Sequence, residues 1–357
     1  MTFYESLQLD PYVLKQHIKQ AKDTKEKSFF YKALFARTIL LVGFASLFIG
    51  LITFFFGSMN ASMAVVLFCI LLSIRFVDFG YKISHSIISL AIVLFILFMV
   101  PLINTIDLLT VKWFINFVAI LTIFMLTGSN PKMGNPGLYS FSYLFLVGTA
   151  QDLNFDELKS RALLLVLSFF CFSVILFMKH KQKNNDTSFI ADFIGEDIFS
   201  KRNLWLINYA FGVSLILLVG EYIPLNRFMW VTFAFSSLIS GYENDFIKER
   251  FIDRIIGVII GSILFGIFNQ FIPATVLAVI SGLALGLTTT YRYKSIFNSF
   301  GALSTASILF GLQSSINIRI INNLVGLTLA YLYFIVSKQL YKKYKYFVNK
   351  DSKDLNI

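Results

Sequence analysis

Twelve mainly apolar stretches run along the chain, at 36–57, 60–75, 83–103, 108–127, 137–150, 161–178, 203–222, 226–241, 254–271, 273–291, 296–313 and 319–337. A helix that crosses the hydrocarbon core of a bilayer needs about 20 such residues. The pattern therefore predicts an all-α, polytopic membrane protein with about 12 transmembrane helices. The fifth stretch, Gly137 to Ala150, and the eighth are the weakest, and either could be re-entrant.

Charge orients this arrangement. With the N-terminus inside, segments 1–35, 76–82, 128–136, 179–202, 242–253, 292–295 and 338–357 are cytoplasmic. Of the 31 Lys and Arg residues, only Lys112, Lys159, Arg161, Arg227 and Arg319 then fall outside. That bias is the positive-inside rule, so both termini are expected in the cytoplasm and the protein in the cell membrane. It also explains the net charge of +11 without nucleic acid. Composition agrees: 57% of residues are hydrophobic and 14% charged, where a soluble domain carries about 25% charged.

Five regions follow. Residues 1–35 form a basic N-terminal segment with no cleavable signal. Residues 36–178 make a first six-helix half and 179–202 a cytoplasmic linker. Residues 203–337 make a second half and 338–357 a basic tail. In the first region Asp10-Pro11 reads as a helix cap with Pro in the first turn. Leu14, Ile18 and Ala21 line one side of the helix that follows, which is expected to lie in the membrane interface. The tail, with Tyr341, Tyr344 and Tyr346, is expected to snorkel at the surface.

The two halves share landmarks. Ser58-Met59-Asn60 corresponds to Pro224-Leu225-Asn226, and Leu126-Thr127 to Leu287-Thr288. A basic residue is followed seven positions later by a small one four times: Lys82 and Ser89, Arg161 and Ser168, Arg254 and Gly261, Arg319 and Gly326. Seven residues are two helical turns, so each pair shares a face. The small residue admits a neighbouring helix closely. These repeats predict two pseudo-repeated six-helix halves, each of three helices plus three inverted ones.

Residues 249–266 (ERFIDRIIGVIIGSILFG) and 317–330 (NIRIINNLVGLTLA) resemble the repeated signatures of the FUSC family, the fusaric acid resistance and aromatic acid exporter superfamily. The family pattern is roughly Arg-x-x-Gly-Thr-x-x-Gly at the third helix and Arg-x-x-Asp-Thr-x-x-Gly at the sixth. Arg254, Gly257 and Gly261 match the first, and Arg319 and Gly326 the second. Val258 departs from the Thr, and Asn322-Asn323 from the Asp-Thr. The first half is more degenerate, with Lys82 and Ser89 for Arg and Gly. Many members hold a large soluble domain, where this chain has only the linker Lys179 to Arg202. The resemblance implies a plasma-membrane exporter of aromatic or other organic acids. A plant branch of the superfamily conducts organic anions such as malate.

The residues limit the chemistry. The glycine-rich run from Gly128 to Gly137 lacks the Gly-Lys-Ser/Thr ending of a nucleotide-binding loop, so pumping is expected to draw on an ion gradient or a partner. The run reads as a turn, or as a broken helix lining a cavity. Cys69 and Cys171 sit in apolar runs as packing residues. His17, His85 and His180 are scattered, so no metal or other cofactor is expected, and no catalytic set is found. Arg254, Arg319, Lys82, Arg161 and Arg227 are candidates for binding the anion, forming mouths on the two membrane sides, because a guanidinium offers a fork to a carboxylate. The alternative for the outer arginines is pairing with Asp156, Glu157 or lipid phosphate. Asp78 and Glu221 are candidates for proton coupling. Gly257, Gly261, Gly326, Ser89 and Ser168 are the helix-packing positions.

The function expected is secondary export of an amphipathic organic anion by alternating access. A non-transporting scaffold for cell-envelope synthesis and a passive organic-anion channel are the alternatives. The expected partners are the small organic anion and membrane lipids, with a homo-oligomer left open and no nucleic acid.

Overall fold

The computed structural model describes the chain apart from residues 132–134, 195–199, 224, 243–245 and 355–357, with backbone alone at 194 and 344–354. Pro224 of the landmark pair, part of the glycine-rich run and the side chains of Tyr344 and Tyr346 therefore lie outside the described residues.

Every regular element among the described residues is helical. Three helices precede and enter the first apolar stretch: α1 (Phe3–Leu7), α2 (Pro11–Gln20) and α3 (Thr24–Phe56). A 3-10 turn leads into α4 (Ala61–Ile74), followed by α5 (Ile83–Asn104), α6 (Leu109–Thr127), α7 (Asn135–Gly148) and α8 (Phe155–His180). The linker holds α9 (Phe189–Ile194). Then come α10 (Lys201–Tyr222), α11 (Met229–Ile239), α12 (Ile247–Phe268), α13 (Ala274–Leu287), α14 (Tyr291–Phe310) and α15 (Leu312–Asp354).

Each apolar stretch is covered by one helix, but lengths differ. Among the described residues, seven helices are long and apolar enough to cross a membrane: α3, α5, α6, α8, α10, α12 and α15. The 14 residues of α4, α7 and α13 rise only about 21 Å, and the 11 of α11 about 17 Å, against a hydrocarbon core of about 30 Å. Helix α14 has 20 residues but carries Arg292, Lys294, Asn298 and several serines.

The chain forms two compact units that cut across the sequence halves. Unit 1 is Met1–Phe54 with Lys248–Asn323, and unit 2 is Phe55–Ile247 with Leu324–Ile357. Helix α3 thus falls with α12, α13 and α14 in unit 1, whereas α10 and α11 fall with α4 to α8 in unit 2. In unit 1, α3 packs against α13, where a Cβ on Gly286 would lie 2.6 Å from Thr38 Cγ2. In unit 2, α10 packs on α6, with the Tyr209 ring stacked on Phe124 at 3.9 Å.

Unit 1 corrects the expected role of the N-terminal helix. Asp10 caps α2, its carboxylate accepting from Tyr12 N at 2.8 Å. Leu14 and Ile18 face protein, not lipid: they are buried with Phe30, Ala33 and Leu34 of α3, and Leu287 packs on the cluster. The stripe is apolar enough to seek any dry surface, and the base of α3 supplies one. Ala21 ends the helix as its C-cap. A second cluster joins α12, α13 and α14 through Phe265, Leu277, Ile296, Phe300 and Leu303.

In unit 2, α7 runs through the interior with polar residues on several faces. Ser140 Oγ and Tyr209 Oη are 2.7 Å apart, and Tyr209 Oη also bonds Ser236 Oγ of α11. One buried phenol so pins three helices.

Candidate functional site

Unit 1 holds the strongest cluster of charge. Arg254 sits two turns inside α12, because that helix begins at Ile247. Arg319 sits two turns inside α15, which begins at Leu312. Arg319 is 5% exposed. Arg254 Nη1 donates to Tyr291 Oη at 3.3 Å and Nη2 to Asn323 Oδ1 at 3.4 Å. Asn323 Nδ2 donates in turn to the Arg319 carbonyl at 2.8 Å. The Arg254 charge is near enough to repel that of Arg319. Arg250 lies over the Tyr291 ring at 5.3 Å, and Arg292 pairs with Asp253 at 2.6 Å.

This corrects the expectation of separate mouths for these two residues. Arg254 and Arg319 belong to one cluster. Hydropathy placed both at helix ends, on opposite sides, because the polar first turns of α12 and α15 do not score as membrane. Both helices extend through those turns, which carries the arginines inward.

The helix-packing positions make close contacts within each unit. A Cβ on Gly257 would lie 2.5 Å from Ser295 Cβ and 2.8 Å from the Arg292 carbonyl oxygen. One on Gly261 would strike the Ile296 carbonyl, and one on Gly326 the Val231 carbonyl in unit 2. Ser89 of α5 and Ser168 of α8 are buried in unit 2.

Unit 2 places the other candidates at two ends. Asp78 is on the loop after α4. Its Oδ1 accepts from Gly80 N at 2.7 Å and Asn184 Nδ2 at 3.0 Å. Its Oδ2 lies 3.7 Å from Lys183 Nζ and 3.9 Å from His180 Nδ1. Asp78, Gly80, Lys183 and Asn184 border a pocket of about 590 Å³ that Thr127, Ser129, Asn135 and Thr187 also line. Asn135 Nδ2 donates to the Asp78 carbonyl at 2.8 Å, and Asn135 Oδ1 accepts from Ser73 at 2.8 Å. Lys82 is half-buried at the head of α5, and its N–H donates to Thr187 O at 2.9 Å.

Arg161 stands near the other end of α8. Nineteen residues separate it from His180, which is about 28 Å of helix. Arg161 is 6% exposed. Its Nε donates to Asn60 Oδ1 at 2.9 Å and Nη2 to Met59 O at 2.8 Å. Its hydrogen bonds thus go to the α3–α4 turn rather than to Asp156 or Glu157. Glu221, at the end of α10, pairs with the buried Lys112 at 2.7 Å. Lys112 also donates to Asn104 O at 3.2 Å. Arg227 is half-buried between α10 and α11, with a left-handed backbone at φ 57°.

Sequence reasoning missed Lys112 as the partner of Glu221, and Asn135, Tyr209 and His180 as interior polar groups. Polar residues recurring along 135–143 were the visible signal, since five of them in and beside a short apolar stretch must find partners inside. No group of three or more potential metal ligands occurs among the described residues.

No curated protein and no solved structure matches the chain. Residues 214–333 match the model of the family described as fusaric acid resistance protein-like. The matched stretch contains Arg254, Gly257, Gly261, Arg319 and Gly326, the residues that make the arginine cluster and its tight helix contacts. Over that stretch, about a third of its length, this multi-pass membrane protein is similar to the fusaric acid resistance protein-like family.

Proposed function

We propose that this chain is a cell-membrane exporter of amphipathic organic anions, aromatic carboxylates foremost, working by alternating access on an ion gradient. One observation carries the reading: Arg254 and Arg319 are gathered into one cluster inside helices α12 and α15. An arginine within a membrane helix costs about 2.5–3.5 kcal/mol on insertion scales. Two that repel one another cost more, and a purely structural contact would be met by apolar side chains. A carboxylate between two guanidinium forks relieves that repulsion, and an aromatic body suits the apolar helix faces beside it.

Two further points support the picture. The loops assigned to the cytoplasm, 76–82, 128–136 and 179–202, contribute described residues to one pocket, as a common side requires. Arg161 and His180, on opposite sides in that scheme, are a bilayer core apart along α8.

The test is counterflow in proteoliposomes. Vesicles loaded with an aromatic carboxylate such as fusaric acid should take up labelled compound from outside, and Arg254→Ala and Arg319→Ala should not. Current without counterflow would make the chain a channel. Neither flux nor current across a panel of aromatic and aliphatic acids would overturn transport in favour of a scaffold.

A further inference from the structure

Two of the chain's three histidines stand where the linker docks, His180 at its start and His85 bonded to it through Nδ1. His180 closes α8 and is 4% exposed. Its Nε2 lies 2.8 Å from the Ile74 carbonyl oxygen. A carbonyl only accepts, so Nε2 carries the proton of the neutral ring. Nδ1 is then a bare acceptor, buried with no hydrogen-bond partner, and it faces Asp78 Oδ2 at 3.9 Å. A proton on Nδ1 would turn this pair into a charge-assisted hydrogen bond, whose ordinary length is about 2.8 Å.

Asp78 is also what holds the linker. It takes the Asn184 amide at 3.0 Å and faces the Lys183 ammonium at 3.7 Å. The second tie is Phe189 N, which donates to His85 Nδ1 at 3.1 Å. That bond exists only while His85 Nδ1 is unprotonated. Two ties do not involve histidine. Lys82 N donates to Thr187 O at 2.9 Å, and Arg202 pairs with Asp192 at 2.8 Å with its guanidinium over Phe193. Asp78 and Lys183 are the charges facing His180, and Arg202 and Asp192 stand further along the strap.

We infer that residues 181–193 form a proton-released strap over the pocket of unit 2, with His180 and His85 as its two proton-binding latches. Protonated His180 draws Asp78 Oδ2, the oxygen that also faces Lys183, away from that ammonium. Protonated His85 ends its bond to Phe189. Both changes act in the same direction, so the strap is closed while these rings are neutral and opens in acid. The Arg202–Asp192 pair keeps the far end tethered. The segment that lifts, Lys183 to Thr187, is one wall of the 590 Å³ pocket. This holds whether or not the chain transports an anion.

The test uses the full chain in detergent, with Cys69→Ser and Cys171→Ser and a single Asn185→Cys carrying a nitroxide label. Between pH 8 and pH 5 the ratio of mobile to immobile label should rise roughly tenfold, the effect of losing about 1.4 kcal/mol of hydrogen bonding. The double variant His180→Gln, His85→Asn keeps the donor to Ile74 and the acceptor for Phe189 but cannot titrate there. It should match the parent at pH 8, which also shows that it is folded, and stay immobile at pH 5. Asp78→Asn should be mobile at both. A parent that does not loosen in acid, or a double variant that loosens as the parent does, overturns the proposal.

Discussion

Arg161 Nε donates to Asn60 Oδ1 at 2.9 Å across 101 residues of sequence. Next to it, Ser160 Oγ donates to Phe56 O at 2.9 Å, and Asn60 Nδ2 reaches the same carbonyl at 2.7 Å. The head of α8 therefore satisfies the backbone oxygens freed where α3 gives way to α4. In Arg161→Ala, Met59 O and Asn60 Oδ1 lose their buried donor. The expected loss is about 2–4 kcal/mol, from one or two unsatisfied groups at 1–3 kcal/mol each, read as a lower thermal midpoint in detergent. Unchanged stability with lost transport would instead assign Arg161 to the substrate path.

Arg254 and Arg319 should behave as one unit in transport. Truncating one member of a buried polar cluster typically costs 2–5 kcal/mol, so each alanine variant should lose at least about tenfold in flux. The double variant should be little worse than either single one, as for residues that act together. Labelled-anion counterflow with matched protein levels checks this. Losses that multiply would mean two independent sites.

The glycines of α12 offer an internal contrast. Gly261→Ala drives a methyl into the Ile296 carbonyl of α14, and overpacking of this kind costs about 1–3 kcal/mol. Gly43 of α3 has nothing within 4 Å of an added Cβ, so Gly43→Ala should be neutral or gain up to about 1 kcal/mol of helix propensity. Thermal unfolding of the two variants side by side decides it. Equal effects would sink the close-packing account of Gly261.

Lys112 and Glu221 are 2.7 Å apart, with side-chain exposures of 10% and 40%. The half-open Glu221 is screened by solvent, so a double-mutant cycle should return a coupling of about 1 kcal/mol or less. Glu221→Gln should weaken stability slightly. If it also abolishes uptake driven by a pH gradient while sparing counterflow, Glu221 carries the coupled proton. Unaltered gradient-driven uptake removes it from that role.

Helix identity was legible from residues 36 to 337 because each apolar stretch must satisfy its own backbone bonds in lipid, whatever its neighbours do. The same local logic found the Asp10 cap and the apolar stripe of Leu14 and Ile18. It also marked Gly261 and Gly326, since a small residue two turns beyond a basic one is a pattern of one helix face. Helix starts were harder. The polar first turns of α12 and α15 are helical through partners that hydropathy does not see, and this hid how deep Arg254 and Arg319 lie.

Partnership was decided by tertiary structure alone. Nothing local to Arg254 names Asn323, nothing at Lys112 names Glu221, and nothing in the linker names Asp78 or His85. These pairs come from helices far apart in sequence, and which faces meet is fixed by packing summed over the whole unit. The allotment of α3 to unit 1 and of α10 and α11 to unit 2 is the clearest case: a helix in lipid is complete in its hydrogen bonds, so its sequence determines that it forms but leaves open which bundle it joins.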